Sequence, residues 1–96
     1  MRDITKLNLA GIYFQQEDYP KAIELYVQIK SSCIERNDYY YAGMGSYYLG
    51  LGFVRMNELI KAKEAITDAI NLWNKMKEPC PMINDAQKVL DSLNNI

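Results

Sequence analysis

Residues in the second half of this chain repeat those in the first. Leu9-Ala10, two further residues and then Tyr13 return as Leu49-Gly50, two further residues and Phe53, a shift of 40 positions. In the same register Lys21-Ala22 and Glu24 return as Lys61-Ala62 and Glu64, and Tyr26 and Ile29 return as Ile66 and Ala69. One such match would say little. Several in a single register mean that one supersecondary unit occurs twice, and such units gain stability by stacking on each other.

The unit is helical. Ala22, Leu25, Tyr26, Ile29 and Cys33 follow steps of three and four, as do Ala62, Ala65, Ile66, Ala69, Ile70 and Trp73. The last segment does the same through Ile83, Ala86, Leu90 and Leu93, beside Val89. No stretch alternates long enough to be a strand. Asp18-Tyr19-Pro20 sets a capping residue before a proline suited to a first helical turn, and Pro79-Cys80-Pro81 forms a clear break. Helices are expected near 3–16, 20–36, 38–56, 58–77 and 82–94. The expected fold is all-α: an antiparallel helical hairpin over 1–37, a second over 38–78, and a closing helix over 79–96. A further shift of 40 lands on Val89-Leu90 and Leu93, so the last helix is in phase with the first and third. Leu90 is bulkier than Ala10 and Gly50 in the same place, which suits a capping helix over the fourth helix. Helical arrays commonly need about three units to stand alone. A longer array, or a dimer that completes this one, is therefore the alternative.

These residues resemble the tetratricopeptide repeat, in a variant with longer helices. That family carries a Leu-Gly pair and an aromatic on its first helix, and an Ala with an aromatic four positions on in its second. Here those places hold Leu9, Ala10, Tyr13, Ala22 and Tyr26, then Leu49, Gly50, Phe53, Ala62 and Ile66. Small residues at Ala10 and Gly50, opposite Ala22 and Ala62, let paired helices approach closely. The family's Trp place holds Lys6 and Ser46, and its terminal Pro place holds Ile34 and Asn74. The resemblance implies a concave groove, lined by the first helix of each hairpin, that takes an extended or helical peptide. Carried over, the groove positions are Ile4, Leu7, Gly11 and Phe14, then Met44, Tyr47, Leu51 and Val54, with Gln15 and Arg55 at the rim. The branch of the family that clamps a peptide's terminal carboxylate has Lys and Asn where this chain has Leu7 and Gly11. An apolar guest is expected instead.

Composition narrows the function further. There is no histidine, so the commonest general base and zinc ligand is absent. Cys33 falls on an apolar helix face and reads as core, whereas Cys80 between prolines is expected to be exposed. Two reduced thiols are the simpler reading of this pair. Glu17-Asp18 reads as a solvated turn that favours the next helix's N-terminus. Gly43, Gly45, Gly50 and Gly52 lack phosphate-loop spacing and a preceding strand, and read as close helix packing. Of Tyr39, Tyr40 and Tyr41, at least one must face solvent, because three consecutive helical residues cannot point one way. With 11 basic against 12 acidic residues and no basic run, no nucleic-acid surface is expected. No stretch reaches the roughly 20 apolar residues of a membrane span, and the N-terminus has no secretory h-region. The expectation is a cytoplasmic, non-catalytic protein-interaction module without metal or cofactor. Its partner is a hydrophobic or amphipathic segment of another protein or, for an assembly role, a second copy. A fragment of a peptide-sensing regulator is a further alternative, though the chain has no room for an effector domain.

Overall fold

A computed structural model describes residues 2–95. It contains five helices: α1 (Asp3–Gln15), α2 (Tyr19–Glu35), α3 (Tyr39–Arg55), α4 (Leu59–Trp73) and α5 (Met82–Asn94). No strand occurs among the described residues. Each helix packs on its neighbour in the chain, α1 on α2, α2 on α3, α3 on α4 and α4 on α5. This is the expected pair of hairpins with a closing helix. Among the described residues, no helix is long and apolar enough to cross a membrane.

The turns reveal a finer period than the sequence reading found. Glu17, Asn37 and Asn57, spaced 20 apart, all adopt the left-handed conformation, with φ of 62°, 59° and 60°. The following N–H groups close the preceding helices identically: Asp18 donates to the Tyr13 carbonyl at 2.9 Å, Asp38 to Cys33 at 2.8 Å, and Glu58 to Phe53 at 2.8 Å. These bonds satisfy carbonyls that a helix end otherwise leaves open. Asn tolerates positive φ better than most residues, which suits two of the three sites. The turns therefore repeat at half the hairpin length. Asp38 also accepts from the Tyr41 N–H at 3.3 Å. Asp18 makes no such side-chain cap; it pairs with Lys21 at 3.6 Å.

Small residues set the helix crossings. Ala22, Ala42 and Ala62, again 20 apart, are fully buried, as is Ala10. A side chain at Gly50 would run into Ile66 at 2.5 Å and the Ala62 carbonyl at 3.2 Å, so α3 lies tight on α4. Ser46 is buried between the same helices, and its hydroxyl donates to the Ala65 carbonyl at 2.7 Å. The 40-residue repeat persists in side-chain detail. Lys21 lies 5.4 Å from the Tyr13 ring centre, and Lys61 lies 5.7 Å from that of Phe53.

Two expectations need correction. Helix α4 ends at Trp73 instead of near 77; this last residue lies over Gly43 and donates its indole N–H to the Tyr40 carbonyl at 3.0 Å. Cys80 is buried, at 4% exposure, in a cluster with Tyr47, Ile66, Ala69, Trp73 and Ala86. The α4–α5 connection lays Cys80 on this cluster, with Met76, Met82 and Ile83 packed beside it, while the two prolines stay exposed. Cys33 is buried as expected, and Tyr40 is the exposed member of its tyrosine run.

Candidate interaction groove

Helices α1 and α3 stand apart over α2, leaving an open groove of about 370 Å³. Helix α1 contributes Leu7, Asn8, Gly11, Ile12 and Gln15; α3 contributes Met44 and Tyr48; Tyr26 of α2 lies at the bottom. None of these residues is charged. Tyr26 and Tyr48 stack with ring centres 5.5 Å apart and planes 22° from parallel, so two aromatic side chains border the groove from the core side. A methyl group added to Gly11 would meet nothing within 4 Å, so space stands open directly above that residue.

The residues expected at this site divide. Leu7, Gly11 and Met44 line the groove, with Gln15 beside them. Ile4 is exposed on α1 outside it, and Arg55 is exposed at the end of α3. Phe14 turns to the first hairpin's turn, edge-on to Tyr19 with ring centres 5.1 Å apart. Val54 is half-buried near the end of α3. Tyr47 is the main departure: at 9% exposure it packs on Trp73, ring centres 5.9 Å apart, in the cluster that α5 completes. Leu51 is half-buried against the same cluster. Helix α5 thus draws over the second hairpin the face that α1 and α3 leave open over the first.

Asn8, Ile12, Tyr26 and Tyr48 line the groove without having been assigned to it. Tyr26 reads from sequence as a packing residue, and it is one. At 3% exposure it borders the groove from within the core, a position set by the spacing of α1 and α3, which no short motif encodes.

Burial, and after it the neighbouring Tyr48 phenol, push the Tyr26 phenol up to about 12. An exposed tyrosine in the unfolded chain ionises near pH 10. Between these values the unfolded chain holds fewer protons than the folded one, so the Tyr26 contribution is complete below about pH 10 and is lost as pH rises towards 12. Melting temperature should fall through this window, and less steeply in Tyr26→Phe. Equal slopes in the two proteins would show that the ring is not shielded.

Elsewhere the ionisable groups are arranged for structure. Lys30 of α2 pairs with Asp68 of α4 at 3.0 Å, and Arg36 pairs with Asp3, tying the end of α2 to the start of α1. Burial, then the nearby Asp38 carboxylate, raise the Cys33 thiol above its usual range, which disfavours the reactive thiolate. Among the described residues, no three Cys, Asp or Glu side chains gather as a metal site would require. No family model, curated protein or solved structure matches the chain.

Proposed function

We propose that this chain is a non-catalytic protein-interaction module of tetratricopeptide type, acting in the cytoplasm, which docks a hydrophobic or amphipathic helical segment in the α1–α3 groove. The observation that carries this reading is an open groove with no charged lining residue and two stacked tyrosines at its border. Filling it removes apolar surface from water without stranding an ion, and tyrosine joins apolar area to a polar tip, a combination common at interfaces. The tetratricopeptide assignment rests on the repeat at 40 residues and on the small residues at each crossing.

Leu7 provides the test. It is half-buried and lines the groove, so the stem of a lysine there can lie along the wall with its ammonium in water. Leu7→Lys should fold, with a loss of about 1 kcal/mol. It should lose about 1.5–3 kcal/mol of apolar contact with a bound amphipathic helical peptide, roughly a tenfold to hundredfold drop in affinity. Leu51→Glu should do the reverse, melting well below wild type because its carboxylate is pressed against the cluster under α5. Peptide binding by fluorescence polarisation, beside thermal melts of both variants, separates the cases. Collapse of Leu7→Lys, or peptide binding that ignores it, would refute the groove.

A further inference from the structure

We infer that the segment docked in the α1–α3 groove is the α1 helix of a second copy of this chain, forming a two-fold dimer in which each Ile12 enters its partner's groove. This rests on the groove reading above and names its occupant. Two neighbouring residues carry the argument. Gly11 leaves open space in the groove wall, with nothing within 4 Å of an added methyl group. Ile12 is an apolar knob, 49% exposed, on the lip of the same groove. Knob and hole lie on one helix, so two antiparallel copies of α1 can each supply what the other lacks. Such self-complementarity is what a two-fold interface requires.

Charge points to the same surface. From Leu7 to Phe14 the chain carries no Asp, Glu, Lys or Arg, and Asn8 is the one residue there with a side-chain amide. A helix apolar around its circumference is normally covered, yet α1 packs chiefly on α2. The outer faces of the other flanking helices carry exposed ions, among them Lys21 and Glu24 on α2 and Lys88 and Asp91 on α5. Pressing either of those faces against its own copy would take several ions out of water. The α1 face meets itself without that cost.

Shape argues against simple extension of the array. Helix α2 approaches α3 closely because Gly45 and Gly52 leave room: side chains there would come within 3.1 Å of the Lys30 nitrogen and 2.9 Å of Ile23. Forty positions earlier the same places on α1 hold Thr5 and Ile12. The outer flank of α1 therefore does not accept a helix as α3 accepts α2, but its protruding isoleucine fits a groove. A 13-residue helix is about 20 Å long. A contact one helix wide falls short of the roughly 800 Å² per partner of a standard interface, so the dimer is weak and depends on concentration.

Sedimentation equilibrium of the full chain across a dilution series tests this. The expected mass rises from 11.1 kDa towards twice that value as concentration increases. Ile12→Glu should hold the mass at one chain throughout and, in samples dilute enough for wild type to be monomeric, should melt with it. Gly11→Leu, which has room to fold but fills the open space, should also hold the mass at one chain. Ile60→Glu, at a site 77% exposed on α4, should dimerise like wild type. A wild-type chain that stays monomeric, or a dimer that survives both α1 variants, overturns the proposal. If that monomer still binds amphipathic peptide in a Leu7-dependent way, the second copy is wrong and the groove stands. A Leu7→Lys chain that cannot fold removes both.

Discussion

Trp73→Ala should lower stability by about 3–5 kcal/mol, the largest loss expected from one truncation. Trp73 is the largest fully buried side chain among the described residues. It ends α4, lies across Gly43 with its indole nitrogen 2.2 Å from where a β-carbon would stand, and donates to the Tyr40 carbonyl. Tyr47 and Cys80 pack in the same cluster. Truncation would leave a cavity at the junction of α3, α4 and α5 and remove the indole hydrogen bond to α3. A domain of this size has about 5–15 kcal/mol in total, so the variant should be near its threshold. Trp73→Phe separates the two effects: most volume stays while the indole hydrogen bond is lost, and the loss should fall to about 1–3 kcal/mol. Urea unfolding of the three proteins measures both. A Trp73→Ala chain within about 1 kcal/mol of wild type would mean that α5 does not seal this junction.

Ala62→Phe should cost about 3 kcal/mol by overpacking. Ala62 is fully buried where α4 crosses α3, and its carbonyl lies 3.2 Å from the place a side chain on Gly50 would occupy. There is no room for a ring unless the two helices part. Parting them would also strain the Ser46 bond to the Ala65 carbonyl, one turn along α4. Ile60→Phe, two residues earlier on the same helix but exposed, is the control and should stay within about 0.5 kcal/mol of wild type. If Ala62→Phe melts with the control, the crossing is looser than the alanine–glycine contact implies.

Much of the fold could be read in the residues because it depends on local pattern. Apolar steps of three and four place the helices, and the match of Lys21-Ala22 with Lys61-Ala62 pairs them into hairpins. The 20-residue turn period was also legible, in Glu17-Asp18, Asn37-Asp38 and Asn57-Glu58. It is easily overlooked because the long side chain of Glu17 stands where asparagine, with its tolerance of positive φ, marks the other two. The groove was legible only in part. Leu7, Gly11 and Met44 follow from helix phase, but the burial of Tyr47 and Cys80 depends on how α5 returns after Pro81. Nothing in α3 alone distinguishes Tyr47, drawn into the core, from Tyr48, left at the groove.

The three left-handed turns have a consequence for how the chain condenses. Each joins two helices through only three residues, so the loop-closure entropy of laying one helix on its predecessor is small. No helix has to wait for a distant partner. Cohesion accrues as a series of adjacent-pair terms, as in a one-dimensional array. The inner helices each share two such terms, whereas α1 and α5 each depend on one. The outermost helices are therefore the first to open by local unfolding, and α1, whose face borders the groove, is one of them.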